Sequence, residues 1–267
     1  MIEIAPAKAG RSLPWANWFP AGAPGPPALA EHALATGHGR WWADRPKHPR
    51  AVAVRCAEYA MLRGSPEALT AADLAPLAHT YLDVPPHFQP LLTAAFDRIA
   101  LYERTIWICA DPPRSPRPVP DGITLRRLTA ADAVVVADLG SRLAWISDSW
   151  GGPRMLAASG HAWGAFAGRR LLSLAVSYVR GERYEDIAAV TLPEHRRRGL
   201  ATSCVTALCG DVRDRGRAAS WTCSGDLRMT MVPAWTTGFR LVRDYAHFAV
   251  GAAVGADRSG AARAHSS

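Results

Sequence analysis

Between Tyr184 and Ala207 the chain reads YEDIAAVTLPEHRRRGLATSCVTA, which gathers carboxylates, consecutive arginines and a glycine into one short stretch. Glu194-His195-Arg196-Arg197-Arg198-Gly199 is too polar for a core and too basic for an ordinary turn. After it the apolar residues fall at Leu200, Ala201, Cys204, Val205, Leu208 and Val212, one face of a helix. The unpaired N–H groups of that helix's first turn face the arginines, an arrangement suited to an anion such as a phosphate. Upstream, Ile187 to Leu192 is a run of β-formers stopped by Pro193. Glu185 and Asp186 open this strand and face opposite sides of it, because side chains alternate along a strand.

A strand, a basic loop and a helix need a sheet to hold them, and the rest of the chain supplies one. Strands are predicted at Arg40 to Ala43, Ala51 to Cys56, Tyr59 to Leu62 and Thr105 to Cys109. Further strands are predicted at Ile123 to Leu128, Gly160 to Phe166, Leu171 to Tyr178, Ala219 to Cys223, Phe239 to Val242 and Ala246 to Val250. Helices are predicted over Leu29 to Thr36, Leu69 to Tyr81, Phe88 to Leu101, Ala130 to Ala144 and Arg228 to Thr236. Asp111 to Gly122 holds five prolines in twelve residues and is the best boundary in the chain. The expected organisation is a Pro/Gly/Ala-rich arm over 1–27, a small α/β domain over 28–110, the linker 111–122, a second domain over 123–250, and a disordered tail over 251–267. Trp15, Trp18 and Phe19 interrupt the arm and are expected to pack on a domain. No repeat at a fixed period is evident.

The 267 residues suffice for a sizeable core and two domains. No apolar run approaches the roughly 20 residues of a membrane helix, and the N-terminus lacks a signal-like apolar segment. The five cysteines show no CxxC spacing, so buried, reduced thiols in a cytoplasmic protein are expected. No His/Cys/carboxylate cluster has metal-ligand spacing. A net charge of +8 favours anionic partners: a phosphorylated co-substrate, nucleic acid or an acidic surface.

The order of these elements, with Arg196-x-x-Gly199-x-Ala201 between strand and helix and Gly238-Phe239 before a later strand, resembles the GNAT superfamily of acyltransferases over Ile123 to Val250. The resemblance implies an α+β fold: a mixed, mostly antiparallel sheet flanked by helices, preceded by a smaller, degenerate GNAT-like half. It implies acetyl-CoA as co-substrate, with no metal, and a small-molecule amine as acceptor. The backbone N–H groups of Arg197, Arg198, Gly199, Leu200 and Ala201 would then cradle the pyrophosphate, with Arg196 and Thr202 flanking them. The strand edge at Val190, Thr191 and Leu192 would bond the pantetheine arm. Acyl transfer to an amine needs a base. Glu185, eleven residues before Arg196, stands where strand-glutamate GNAT enzymes place theirs, and Asp186 is second. Trp145, Ser147, Trp150, His161 and Trp163 fall near the expected acceptor region.

The chain departs from the family pattern where an Asn and a Tyr are usual: Leu227 and Ala234 stand there, with Pro233 beside them. Ser224, Tyr245 and His247 are the possible substitutes. These departures, the net charge, and Arg213, Arg215 and Arg217 at the end of the helix keep two alternatives open. One is an acyl donor in the form of aminoacyl-tRNA; the other is a GNAT-like protein that binds CoA without catalysis. Oligomeric state is not legible.

Overall fold

The computed structural model describes residues 1–5, 15–111, 118–224 and 237–251. Residues 112–117 of the proline-rich linker, the predicted helix Arg228 to Thr236, Leu227, Ala234 and the tail beyond Gly251 lie outside the described residues. The first half of the chain forms β1 (Ile2–Ile4), α1 (Leu29–Thr36), β2 (Arg40–Ala43), β3 (Ala51–Cys56), β4 (Tyr59–Gly64), β5 (Thr80–Asp83), α2 (Gln89–Ala95) and β6 (Ile99–Cys109). The second half forms β7 (Ile123–Arg127), α3 (Ala133–Ala137), α4 (Pro153–Ala158), β8 (Ala162–Ala167), β9 (Arg170–Arg180), β10 (Tyr184–Thr191), α5 (Leu200–Asp214), β11 (Ala218–Ser224) and β12 (Phe239–Val250).

All twelve strands join one mixed sheet, ordered β1-β2-β3-β4-β5-β12-β6-β11-β10-β9-β8-β7. Strands β4/β5 and β10/β11 pair parallel, and the other neighbours pair antiparallel. Exchanging each of β1–β6 for the strand six later reverses this order onto itself. The molecule is therefore two like halves about a pseudo-two-fold axis between β12 and β6. Each half has given its last strand to the other: β6 lies beside β11, and β12 beside β5. One core cluster crosses the halves, with Leu29, Trp41, Val54 and Met61 packed in the same body as Ile146, Phe166, Leu174 and Val179.

Several elements differ from expectation for local reasons. Leu69 to Tyr81 is not an α-helix. Pro76 interrupts it, so a 3-10 stretch Ala71–Leu77 forms, opened by Asp73 accepting the Thr70 N–H, and β5 follows. The predicted helix Phe88 to Leu101 ends at Ala95, and its last residues belong to β6. The predicted helix Ala130 to Ala144 shrinks to α3, with left-handed Gly140 (φ 80°) beyond its end. The two short strands expected after Gly238 are one strand, β12, with a register shift between Leu241 and Arg243. Within the expected N-terminal arm, β1 pairs with β2, and the Trp15 and Phe19 rings lie 5.0 and 5.6 Å from Trp41.

Candidate active site

The cradle is built by backbone conformation. Strand β10 ends at Thr191, a 3-10 turn Pro193–His195 follows, and Gly199 (φ 77°) opens α5. Arg197 is also left-handed (φ 59°), which is strained for a residue with a side chain. Alternating hands of this kind turn successive N–H groups toward one point. No side chain caps α5, so its first-turn N–H groups are open. A Cβ on Gly199 would meet no atom within 4 Å, so the space above it is free for a phosphate. Arg196 is turned inward, its Nε 3.4 Å from the Thr191 carbonyl; Arg197 and Arg198 are exposed. Leu200 is buried under the helix, while Ala201 and Thr202 are half-buried at its start. These residues fit the pyrophosphate that the family resemblance implies.

Beside the cradle the sheet opens. Strands β10 and β11 pair only through Tyr184, Glu185 and Asp186 and then part. Half-buried Ala188 and Ala189 line β10 beyond that point and leave room for a narrow chain. The Leu192 N–H is spent on the Leu172 carbonyl of β9. The antiparallel alternation commits Val190 to β9 in the same way, so the N–H groups of Ala189 and Thr191 are the ones that face the gap. Of the expected edge Val190, Thr191 and Leu192, the Thr191 N–H faces the gap, while those of Val190 and Leu192 face β9.

The two neighbouring carboxylates meet opposite environments. Glu185 is fully buried and accepts from Arg215 (3.1 and 2.7 Å), Arg217 (3.0 Å) and the Ser177 hydroxyl, with His161 Nδ1 at 3.4 Å. Burial works to raise its carboxyl, but hydrogen bonds from His161, Arg215 and Ser177 win and hold it well below the usual carboxylate range. A carboxylate so placed anchors Arg215 and Arg217, and these bonds favour its ionised, weakly basic form over the role of base expected for it. It also removes Arg215 and Arg217 from a free basic surface. Asp186 stands where β10 and β11 part. Its Oδ1 accepts from Ser220 (2.9 Å) and Thr222 (3.1 Å), and burial lifts its carboxyl to about 6 against those bonds and the Arg104 charge.

Tyr59 interacts with Asp186 and belongs to an aromatic cluster drawn from both halves. Tyr59 of β4 lies 6.3 Å from Tyr178, 6.0 Å from His247 and 5.5 Å from Tyr81, ring to ring, and Trp145 lies 5.7 Å from Tyr178. Of the residues expected at the acceptor, only Trp145 reaches this cluster. Ser147 donates to the Ala144 carbonyl (3.1 Å), and Trp150 donates to the Ser177 carbonyl (2.8 Å) and stacks on His161. Trp163 donates to Asp211 (2.6 Å) in the α5 core. Tyr245 donates to Asp83 (3.0 Å), His247 is buried in the cluster, and Ser224 closes β11. Tyr59, Arg104, Ser220 and Thr222 were missed, because only long-range strand pairing brings them to Asp186. Among the described residues no group of His, Cys, Asp or Glu could hold a metal ion, and no helix is long and apolar enough to cross a membrane.

A mixed sheet that parts between β10 and β11, beside a loop and helix start that fit a pyrophosphate, is the architecture of the GNAT class. The chain belongs to the GNAT acetyltransferase family, whose model matches residues 114–248. It is 50% identical over 200 residues to an uncharacterized N-acetyltransferase in the mutA 5′ region of Streptomyces virginiae, covering 74% of this chain and 84% of that one. In fold it is similar to a GCN5-related N-acetyltransferase-like protein from Streptococcus suis (TM-score 0.61, 15% identity, 81% and 90% of the two chains). It is also similar to a tandem GNAT protein from the clavulanic acid biosynthesis pathway (TM-score 0.53, 17% identity, 86% and 88%). The protein is thus an N-acetyltransferase of two-part GNAT type.

Proposed function

We propose that the protein moves an acetyl group from acetyl-CoA to the amine of a small molecule, with Asp186 as the general base. Bound acetyl-CoA would supply the acetyl thioester. The N–H groups from Arg197 to Ala201 bind its pyrophosphate, and the Ala189 and Thr191 N–H groups orient the arm that enters the gap. Asp186 takes a proton from the incoming ammonium, directly or through a water, because only the free amine carries the lone pair that attacks. A carboxyl near 6 is mostly ionised at neutral pH and still basic enough for this task, and that placement of Asp186 carries the reading. The five free, buried cysteines support a reducing, cytoplasmic setting.

The test is thermal stabilisation by acetyl-CoA, CoA and bulk aminoacyl-tRNA, followed by acetyl-transfer assays on a panel of amines. Acetyl-CoA at about 100 times its Kd should add roughly 2.7 kcal/mol of stability, a shift of several degrees. A shift with tRNA and none with acetyl-CoA would overturn the donor assignment.

A further inference from the structure

Around Asp186 the fold buries polar atoms that nothing in it answers. Arg104 Nε, the Tyr178 hydroxyl and both ring nitrogens of His247 lack a hydrogen-bond partner among the described residues. A donor or acceptor buried this way has lost its water without replacement. Four such atoms in one neighbourhood mark a place made for a polar occupant. The neighbourhood is continuous: Tyr59 lies against both Tyr178 and His247, His247 sits 4.7 Å from Tyr81, and Tyr102 faces His247 across the β6/β12 ladder.

Its charges are few. Asp186 is the anion beside Arg104, and Asp148 is a second one on the Tyr178 side. Arg104 is the cation; its Nη2 makes one long contact, 3.4 Å to the Thr222 carbonyl, and the guanidinium also bonds Tyr59. His247 stays neutral, because burial pushes it down to about 3. An acceptor with an amine alone would answer Asp186 and leave Arg104 Nε bare. An acceptor with a second ammonium would set a cation against the guanidinium. A carboxylate close to the amine answers both ends at once.

We infer that the acceptor is an amino acid: its amine faces Asp186, its carboxylate is bound by Arg104 Nε, and the Tyr178 hydroxyl and His247 complete its hydrogen bonds. This deepens the acetyl-CoA reading above and rests on it. Arg104 comes from β6, the strand that the N-terminal half contributes to the other half's sheet, so the first half supplies acceptor recognition.

The experiment compares acetyl transfer to each proteinogenic α-amino acid with transfer to the amine left by removing its carboxyl group. At least one amino acid should exceed its matched amine by roughly tenfold or more in kcat/KM, the worth of a charge-assisted hydrogen bond. Arg104→Gln should bring that ratio toward one by raising KM for the amino acid, and Arg104→Lys should restore part of it. Stabilisation by acetyl-CoA, measured on each variant, shows that the donor half is still folded. Amines used as well as amino acids, or a ratio untouched by Arg104→Gln, would overturn the inference. Silence of the whole panel in a protein that acetyl-CoA stabilises would overturn it too. Absence of any acetyl-CoA effect sinks the parent reading instead, and the two failures are thereby told apart.

Discussion

Glu185 and Asp186 are adjacent in the chain and point to opposite sides of one strand, and that alternation decides their roles. The Asp186 carboxyl is raised in the folded protein, so the stability it contributes is full below its unfolded value of 3.8 and is lost as pH rises through about 6. Asp186→Asn keeps the shape and removes that burden. At pH 8 the variant should be more stable than the parent by about 2 kcal/mol. It should equal the parent near pH 4 and lose roughly a hundredfold or more of kcat/KM. Melting temperatures at the two pH values and initial rates check this; a variant that keeps its rate would remove Asp186 as base. Glu185 has the opposite sign. Its folded value is lowered, so its stabilisation is present above 4.5 and is lost as pH falls toward its depressed value. Glu185→Gln should cost about 3 kcal/mol at pH 7, because Arg215 and Arg217 lose their buried partner. The rate limb near pH 6 should survive in it. Disappearance of that limb would return the base to Glu185.

Strand β10, its loop and α5 were legible because each signal is local: β-formers stopped by Pro193, a basic run ending in Gly199, then a helical apolar stripe. The same locality gives a prediction. Gly199→Ala places a side chain in left-handed backbone at φ 77°, costing about 1 kcal/mol of stability. It also puts a methyl into the free space above the turn, so the Kd for acetyl-CoA should rise by roughly tenfold or more. Calorimetric titration separates the effects; unchanged affinity would place the pyrophosphate elsewhere. Elements that depend on distant partners were harder to read. β12 runs through the exposed Arg243 and Asp244, which read as a break in an isolated sequence and are tolerated because β6 pairs the whole strand. Arg104 gave no signal at all: its value comes from lying opposite Tyr245 on one strand and Ser224 on the other.

The repeat that the sequence hides is the plan of the whole molecule. The two halves share strand order but not chemistry. Where β10 and β11 part to leave a gap, the matching separation of β4 from β5 is closed by Arg63, which donates to Asp83 at 2.7 Å, while Tyr245 donates to the same carboxylate. Where α5 opens on a glycine nest, the first half has the proline-bearing 3-10 stretch Ala71–Leu77. Under the proposed function the chain should therefore bind one acetyl-CoA, which calorimetric titration checks. The exchanged strands carry the stronger consequence. β6 is an interior strand of the second half's sheet, and β12 is its neighbour from Cys109↔Phe239 to Ile99↔Val250. Removing either half would leave its partner with an open sheet edge and the shared core around Trp41 and Ile146 exposed. Fragments 1–113 and 114–267 should therefore fail to fold singly, and should recover a folded, acetyl-CoA-binding complex when co-expressed. The intact chain should unfold in one calorimetric transition, its van't Hoff and calorimetric enthalpies agreeing. Two separated transitions, or a second-half fragment that binds acetyl-CoA alone, would show that the halves are independent despite the exchange. A single transition would mean that any substitution weakening the β6/β12 ladder lowers the stability of the donor site and of the Arg104 pocket together.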